Sequence, residues 1–494
     1  MSVADVQPVL QLLNNGPSSQ SILHSVGSPG EDTLGQQLHH NGEQTMQLMP
    51  HQIEDAAFLA SKQFAGCFSG MGSGKTLTAL EAVNLVGLQG DTLSEEGRVL
   101  IIAPPIALHM WAEEFNRHCK FRAQVIKTGK VDLDPLAHCH VMSYEIATKR
   151  ALELRTWQYK IMICDESHAL KSTKAKRTKA ILGQNGLCSY VAHSWMLTGT
   201  PQTRWNDDLF PFIIRAGADK LRRQIGQLTL NKFQLRYCNT RQQKFPGARF
   251  PSTIVIGNRN TDELNYMMFK EGMAVRRELS DVWDAMPALT KSRLVVDLDP
   301  NAELRQMLRN ADKQGDQWVE ENRHSDALAT MRRLIGIAKI KHSVAEIVDR
   351  LDAGYGPLLV GAWHTDVIDA LTLQLAGKKY VTHSLDGRTG ANKKVWLQEQ
   401  FNDKKLDVLV GQISAMGVSL NLQRGGNRII VIEEDWSPSV MDQFYARLHR
   451  MGQAKPVHVD TFVSDTKLDK AIARISGTKR AEHVRVLANN GETL

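Results

Sequence analysis

Short apolar runs that end in polar turns recur along the chain in two separate series. Runs of about four to eight apolar residues bounded by turn residues are typical of strands buried in a parallel sheet. The first series includes VLIIAPP (99–105), IMICDE (161–166) and WMLTGTP (195–201). The second includes PLLVGAW (357–363), LDVLVG (406–411), RIIVIEE (428–434) and VHVDTFV (457–463). Helical patterns separate the runs, which predicts an α/β protein with two doubly wound parallel-sheet lobes and helical insertions.

The stretches outside these runs set the predicted domain boundaries. Residues 1–43 are rich in Gly, Ser, Asn, Gln and His and lack a sustained periodicity, which predicts a flexible N-terminal arm. The first lobe is predicted at 44–215 and the second lobe at 351–494. Charged helical stretches fill residues 216–350, so helical insertions and a linker are predicted there.

Composition excludes several classes of protein. Of the 494 residues, 42% are apolar and 23% are charged, and no apolar run approaches the roughly 20 residues that span a bilayer. The N-terminus has no basic region ahead of its apolar residues, so a location inside a cell is expected. The six cysteines form no CxxC pair, which argues against a zinc module or a disulfide framework and predicts reduced, mostly buried thiols.

The net charge of the chain is +7, from 60 Lys and Arg against 53 Asp and Glu. Such an excess suits binding to a polyanion. Ordinary solvated charge explains it equally well.

The first candidate for chemistry is SGMGSGKT, which runs from Ser69 to Thr76 and opens a predicted helix. Small residues at a helix N-terminus let backbone N–H groups surround phosphate oxygens. The predicted cradle consists of Gly70, Gly72, Ser73 and Gly74. Lys75 is predicted to reach the β and γ phosphates of ATP, and Thr76 to hold Mg²⁺. Ser69 stands where the strict pattern has glycine.

A second candidate lies about 90 residues later, where Asp165 and Glu166 directly follow an apolar strand. Acidic pairs at strand ends are common in solvated turns. In the same α/β series as a phosphate loop, however, Asp165 can bind Mg²⁺ and Glu166 can orient an attacking water. The combination favours ATP hydrolysis.

A third candidate is QFYARLHRMGQ, in which Arg447 and Arg450 share one face of a predicted helix with Gln443 one turn earlier. A solvated basic helix is the alternative interpretation. Guanidinium groups stabilise charge on a γ phosphate, and supplying them from the second lobe would make hydrolysis depend on lobe closure.

Together, these motifs resemble superfamily 2 helicases, and within them the SWI/SNF-type ATPases. The likeness extends from about Met46 to Phe462 and rests on motifs in family order: SGMGSGKT, APP (103–105), SYE (143–145), DESH (165–168), LTGTP (197–201), LDGRT (385–389), MGVSLNL (416–422) and HRMGQ (449–453). The LMPHQ segment (48–52) and DWSPS (435–439) are further indicators. The resemblance implies two RecA-like lobes, the second being a helicase C-terminal lobe.

A narrower resemblance rests on FQLRYCN (233–239) and VRRELSDVWDAMP (275–287), which are similar to the branch of the annealing helicase related to bacterial HepA. The resemblance also assigns roles to single residues. Gln52 would contact adenine, and Gln443 would belong to the nucleotide site. Coupling of nucleotide state to lobe movement would use His168, Thr198, Gly199 and Thr200. Nucleic-acid contacts would come from Pro104, Tyr144, Arg388 and Asn421.

Some of these residues have simpler interpretations. His168 is also explained by a hydrogen bond at a strand end, and Gln52 by helix capping. Met416, Ser419 and Ser172 depart from the usual pattern of the family, outside the phosphate chemistry.

The sequence therefore predicts a DNA-stimulated ATPase that uses ATP and Mg²⁺ and translocates on duplex or branched DNA, as a monomer and without a membrane. The rivals within the superfamily are a strand-separating DNA or RNA helicase and a translocase of a restriction system. A rival of another class is a non-catalytic DNA-binding scaffold with a vestigial nucleotide site.

Overall fold

Two parallel sheets form the frame of the protein. The computed structural model describes residues 48–87, 97–244, 249–283, 286–314, 325–416, 420–474 and 477. The arm predicted for residues 1–43 lies outside the described residues, as does Ser419. Both sheets belong to one unit, Leu48–Leu494.

The strands follow one another along the chain as β1 Phe64–Cys67, β2 Val99–Ile102, β3 Ala123–Ile126, β4 Cys139–Met142, β5 Ile161–Asp165, β6 His193–Leu197, β7 Cys238–Gln243, β8 Ser252–Asn258, β9 Ala274–Val275, β10 Leu289–Val295, β11 Leu358–Ala362, β12 Thr382–Leu385, β13 Val408–Gln412, β14 Arg428–Val431 and β15 Val457–Val463. The first sheet has the order β3-β4-β2-β5-β6-β1-β9, and the second has the order β10-β15-β14-β11-β13-β12. Every pairing within these two sheets is parallel. The predicted fold class is confirmed.

The α-helices are α1 Pro50–Ala60, α2 Lys75–Gly87, α3 Leu108–Cys119, α4 Tyr144–Lys149, α5 Ala151–Leu154, α6 Lys176–Leu182, α7 Phe210–Ala216, α8 Ala218–Ile225, α9 Leu230–Tyr237, α10 Thr261–Phe269, α11 Leu279–Val282, α12 Ala302–Gln314, α13 Asp326–Asp352, α14 Thr365–Ala376, α15 Ala391–Asn402, α16 Ile413–Met416 and α17 Pro438–Tyr445. Several begin at a side-chain cap. Ser143 accepts a hydrogen bond from the backbone N–H of Ile146, and Thr229 accepts one from Lys232. Such caps satisfy N–H groups that have no partner inside the helix.

The continuous apolar runs of the strands fill two cores in each lobe, one on each side of the sheet. Along β2, Leu100 and Ile102 pack in one core while Val99 and Ile101 pack in the other. The second sheet repeats the arrangement on its own two sides. Side chains of a strand point alternately to opposite faces, so a strand covered on both faces must be apolar throughout.

The region predicted as helical insertions and linker, residues 216–350, also contains strands. Strand β9 pairs with β1 at one edge of the first sheet, and β10 pairs with β15 at one edge of the second. Strands β7 and β8 form a separate antiparallel pair. The chain therefore passes from the first sheet to the second between Val275 and Leu289. The predicted domain boundaries themselves stay predictions.

All six cysteines are buried and free. Burial also raises the pKa of these thiols, for example to about 11 at Cys67 and about 12 at Cys119.

Candidate functional site at the lobe interface

The predicted phosphate chemistry gathers at one edge of the first sheet. Strands β5, β6 and β1 are neighbours in the sheet. Asp165 ends β5, Thr198 follows β6, and the loop from Ser69 follows β1. Carboxyl ends of parallel strands share one edge, which is where ligands of open α/β sheets bind.

The loop from Ser69 to Thr76 is shaped as a phosphate cradle. Gly72 and Gly74 have φ angles of 81° and 82°, in the left-handed region that favours glycine. The Nζ of Lys75 donates to the carbonyl oxygens of Ser69 and Gly70, both at 2.9 Å. Burial lowers the pKa of Lys75. Its ammonium group is thus held across the loop by backbone carbonyls.

Ser73 and Thr76 complete this loop. Ser73 is buried, and among the described residues its hydroxyl has no hydrogen-bond partner. A buried polar group without a partner is costly, so the cradle has bonding capacity to offer a ligand. Thr76 lies in the first turn of α2, directly after Lys75.

Gln52 braces this loop from α1. Its Oε1 accepts from the backbone N–H of Met49 at 2.9 Å, and its Nε2 donates to the carbonyl of Gly74 at 3.4 Å. A Cβ at Gly74 would lie 2.1 Å from this Nε2, so the close approach requires glycine. The helix-capping interpretation of Gln52 therefore fits the geometry, and its contact with adenine stays a prediction.

Asp165 and Glu166 lie side by side at the end of β5. One carboxylate oxygen of Asp165 accepts from the indole N–H of Trp111 at 2.8 Å. Burial and the neighbouring Glu166 raise the pKa of Asp165 to about 6. Burial alone would raise the pKa of Glu166, but His168, Lys75 and Arg447 hold it below its ordinary value. Two crowded carboxylates facing a lysine form a suitable place for a divalent cation.

The four predicted coupling residues connect Glu166 with the second lobe. The hydroxyl of Thr198 lies 3.1 Å from Nδ1 of His168 and 3.4 Å from Oε2 of Glu166. It also accepts from the backbone N–H of Thr200 at 3.1 Å. The hydroxyl of Thr200 in turn accepts from Nε2 of Gln443, in α17, at 3.5 Å.

Gly199 packs on the phosphate loop, because a Cβ there would lie 3.0 Å from the side chain of Met71. The structure thus brings Glu166, the coupling residues and Gln443 together.

Arg447 and Arg450 approach this edge from the second lobe. Arg447 is buried and donates to the carbonyls of Gln443 at 2.9 Å and Leu420 at 3.0 Å. Burial lowers its pKa to about 10, with Arg450 contributing and Glu166 opposing. A Cβ at Gly72 would lie 2.9 Å from the Cβ of Arg450. The phosphate loop and the arginine segment are therefore in direct contact.

The residues predicted to contact nucleic acid are dispersed. Pro104 and Tyr144 line a cavity of about 180 Å³ together with Glu166, His168 and Gln443. Tyr144 is buried, and its hydroxyl donates to the backbone carbonyl of Asp165 at 2.6 Å. This bond fixes the end of β5.

Arg388 and Asn421 have partners within the second lobe. Arg388 forms ion pairs with Asp369 at 2.6 Å and Asp386 at 2.5 Å. The side-chain oxygen of Asn421 accepts from the guanidinium of Arg450. The predicted nucleic-acid roles of these residues stay predictions.

Residues that had no predicted role hold the start of the phosphate loop. The backbone N–H of Arg277 donates to the hydroxyl of Ser69 at 3.1 Å, and Gly70 donates to the carbonyl of Arg277 at 2.7 Å. Ser69 in turn donates to buried Asp55 at 3.4 Å, which pairs with Arg277 at 3.2 Å. Ser69 therefore anchors the loop where the strict pattern has glycine. The only sequence signal for this anchoring role of Arg277 is the pair of adjacent arginines in VRRELSDV (275–282).

Two known domain families match consecutive parts of the chain. Residues 51–346 match the SNF2-related domain. The chain belongs to the SNF2-related family. Residues 342–452 match the helicase conserved C-terminal domain, which covers Arg447 and Arg450. The resemblance to SWI/SNF-type ATPases is confirmed, and nucleotide use follows from these domains.

Curated relatives of this SNF2-related chain have names that refer to chromatin and DNA annealing. A "SWI/SNF-related matrix-associated actin-dependent regulator of chromatin subfamily A-like protein 1" of Xenopus laevis is 26% identical over 85% of this chain and 42% of its own length. The homolog of Caenorhabditis elegans is 27% identical over 85% of this chain and 59% of its own. The mouse "DNA annealing helicase and endonuclease ZRANB3" is 26% identical over 85% and 39%. The chain spans about half the length of the curated relatives it matches.

A solved Sulfolobus solfataricus SWI2/SNF2 ATPase core in complex with dsDNA covers 90% of this chain and 97% of its own, at 18% identity and a TM-score of 0.40. Among the described residues, none of the helices has the length and apolarity needed to cross a membrane.

Proposed function

We propose that this SNF2-related chain is a DNA-stimulated ATPase that translocates along duplex or branched DNA. The observation that carries the proposal is the direct contact of Gly72 with Arg450 across the lobe interface. The phosphate loop and the arginine segment, nearly 400 residues apart in the chain, are the two predicted halves of one site, and here they meet. Glu166 also interacts electrostatically with Arg447. A site assembled from two lobes responds to any ligand that moves the lobes.

The residues at the sheet edge fit ATP and Mg²⁺. The glycine cradle and the hydroxyl of Ser73 offer donors to phosphate oxygens, and Lys75 supplies a positive charge. Thr76 and Asp165 would hold the cation. Bound Mg²⁺ would neutralise charge on the phosphates and favour the ionised form of Asp165.

Each protein group then has a defined task in hydrolysis. Glu166, held ionised by His168 and Lys75, would orient the attacking water and accept its proton. Arg447 and Arg450 would stabilise negative charge that develops on the γ phosphate. Because both arginines belong to the second lobe, only closed lobes would complete the site.

Movement along DNA follows from opening and closing of the lobes. The hydrogen-bonded series Glu166, Thr198, Thr200 and Gln443 joins the carboxylate to α17 of the second lobe. A change of nucleotide state at Glu166 would therefore alter lobe contacts, and each cycle would shift the grip on the DNA backbone. Relatives named for chromatin regulation and DNA annealing support DNA as the partner.

The deciding measurement is ATP turnover with and without duplex DNA, for the wild-type chain and Lys75→Ala. We expect DNA to stimulate the wild type and the variant to lose turnover because no ammonium group reaches the phosphates. The proposal is contradicted if duplex DNA does not increase ATP turnover by the wild type, or if Lys75→Ala hydrolyses ATP as fast as the wild type. Lack of any turnover would favour the non-catalytic scaffold.

Strand separation of a labelled duplex would favour a conventional helicase over a translocase. An intracellular location is also proposed, in line with the six free cysteines.

A further inference from the structure

The part of the first lobe between β6 and β9 carries a concentration of positive charge. Between Asp219 and Asp262 the chain contains no acidic residue and nine basic ones: Lys220, Arg222, Arg223, Lys232, Arg236, Arg241, Lys244, Arg249 and Arg259. The net charge of the whole chain is +7, and the net charge of this segment alone is larger, because its nine basic residues face no acidic residue within it. An excess confined to 42 residues is a local electrostatic feature rather than an average of the surface.

Part of this charge is neutralised in the structure. Ion pairs join Lys220 to Glu271, Arg222 to Asp219 and Arg236 to Glu263. The other six basic residues are exposed. Three of these, Arg241, Lys244 and Arg249, lie on or beside the strands β7 and β8.

Strands β7 and β8 form a two-stranded antiparallel ribbon that is separate from both parallel sheets. Its six-residue strand β7 spans about 20 Å at the usual rise per residue. Next to the ribbon, Phe250 is 72% exposed and the guanidinium of Arg249 lies 5.6 Å from its ring centre. Exposed aromatic, amide and guanidinium groups, which lie on and beside this ribbon, are the groups that contact nucleic-acid bases and backbone.

Side-chain amides hold the root of the ribbon, where β7 begins at Cys238 and β8 ends at Asn258. The side-chain oxygen of Asn258 accepts from the backbone N–H of Asn206 at 2.8 Å and from Nε2 of Gln202 at 3.3 Å. The side-chain amide of Asn206 also donates to the carbonyl of Tyr237 at 2.8 Å. An isolated two-stranded ribbon is marginally stable in water, so these bonds give it a fixed orientation.

The root lies beside the nucleotide site. Gln202 follows Pro201, the last residue of LTGTP, and both Gln202 and Asn206 are buried. The ribbon is therefore attached to the loop that carries Thr198 and Thr200. DNA held by the ribbon would lie on the same lobe and near the same sheet edge as the ATPase chemistry.

From these observations we infer that the β7–β8 ribbon is a DNA-binding element that enters a groove of duplex DNA. The major groove, about 12 Å wide, accepts a two-stranded β-ribbon. Arg241, Lys244 and Arg249 contact phosphates along the groove. The inference rests on the proposed function, because it assigns the ribbon to the DNA on which the motor acts.

The test compares two triple variants. The ribbon variant combines Arg241→Gln, Lys244→Gln and Arg249→Gln. The control combines Lys120→Gln, Lys378→Gln and Lys404→Gln, which remove the same charge from exposed lysines that precede strands β3, β12 and β13. Loops at the amino ends of the strands lie at the sheet edge opposite the nucleotide site. Thermal unfolding verifies that each variant is folded.

Binding of a short fluorescent duplex is measured over a range of salt concentrations. Losing three phosphate contacts should weaken binding by about 10- to 100-fold at physiological salt and reduce the slope of log K against log salt by about 2 to 3. The control should stay close to the wild type. A ribbon variant that binds duplex like the control overturns the inference.

Two further probes separate the alternatives. Poly-glutamate identifies a general polyanion site, and equal loss of its binding and of duplex binding would contradict recognition of DNA. A single-stranded oligonucleotide identifies strand binding, and a loss confined to that probe would contradict docking in a groove. Loss confined to duplex supports the inference.

ATPase stimulation distinguishes failure of the ribbon from failure of the proposed function. Each stimulated rate is divided by the DNA-free rate of the same variant. We expect the ribbon variant to need about 10-fold or more DNA for half-maximal stimulation. If duplex does not stimulate the wild type, the proposed function fails. If it stimulates the wild type and the ribbon variant at the same DNA concentration, only the ribbon inference fails.

Discussion

The two lobes prepare their parts of the site in different ways. In the first lobe, the side chains nearest the phosphate loop have partners at the same sheet edge, as Lys75 has in the carbonyls of Ser69 and Gly70. In the second lobe, Arg447 and Arg450 bond to the loop that follows α16, through the carbonyl of Leu420 and the side chain of Asn421. The first half is thus held by partners of its own sheet edge, whereas the two arginines of the second half are held by a neighbouring loop.

This difference indicates what each lobe contributes. We expect the first lobe to bind nucleotide without the second, because its cradle, lysine and carboxylates share one sheet edge. The arginines belong to the second lobe, which touches the first at Gly72 through Arg450 and at Thr200 through Gln443. Substitutions in the first lobe should therefore affect binding and turnover, and substitutions in the second should affect turnover alone.

The largest effect is expected for Arg450→Ala. Loss of an arginine that stabilises the transition state should lower turnover by about 10³-fold or more. Nucleotide affinity, measured with a fluorescent ATP analogue, should change little. The control Arg305→Ala removes an exposed arginine of α12 and should retain wild-type turnover. A parallel loss of nucleotide affinity in Arg450→Ala would mean that both lobes form the binding site.

A somewhat smaller loss is expected for Glu166→Gln. Removing a group that orients and deprotonates water typically costs about 10²- to 10⁴-fold, while the cradle and Lys75 still bind nucleotide. The matched control is Glu145→Gln, because Glu145 is exposed and lines the same cavity of about 180 Å³. Single-turnover hydrolysis separates the chemical step from release. Similar losses in both variants would indicate a general effect of charge in the cavity.

The contact between the lobes can be tested by Gly72→Ala. The added Cβ would lie 2.9 Å from the Cβ of Arg450, and overpacking costs about 1–3 kcal/mol, or roughly 10- to 100-fold in turnover. Gly226→Ala is the control, because its φ of 73° is also positive but nothing lies within 4 Å of the added atom. Equal activity of the two variants would show that closure of the lobes does not bring these residues together during turnover.

The smallest effect is expected for the residues that anchor the loop. Asp55→Asn weakens a buried partner of Arg277 and should lower the free energy of unfolding by about 2 kcal/mol. Glu54→Gln changes the exposed partner of the same arginine and should cost less than about 0.5 kcal/mol. Urea unfolding measures both. A larger cost at Glu54 would mean that the loop is held from its exposed side.

Much of the first lobe could be predicted from the sequence because its chemistry follows strand ends directly. The apolar runs located β2, β5 and β6, and the residues that end these runs are Pro104, Asp165 and Thr198. In contrast, β9 is two residues long and carries no periodic pattern. Its pairing with β1, and with it the position of Arg277, depends on tertiary contacts that local patterns do not encode.

The second lobe and the ribbon show the same limit. Strand β10 lies at a sheet edge and is largely exposed, so LTKSRLV lacks the apolar run that marked the other strands. Strand β7, with the polar sequence CNTRQQ, also lacks an apolar run and could not be predicted for the same reason. Motif order placed Asn421 near nucleic acid, but only the folded chain shows it in contact with Arg450. Contacts between motifs had to come from the structure.

The buried cysteines have a practical consequence for watching this protein at work. Maleimide dyes react with thiolates, and burial both hides all six native thiols and keeps them protonated by raising their pKa values. A new cysteine on each lobe, for example at the exposed positions Lys120 and Lys404, would therefore carry the dyes over a silent background. Energy transfer between the two dyes would then report opening and closing in single molecules of an otherwise native chain.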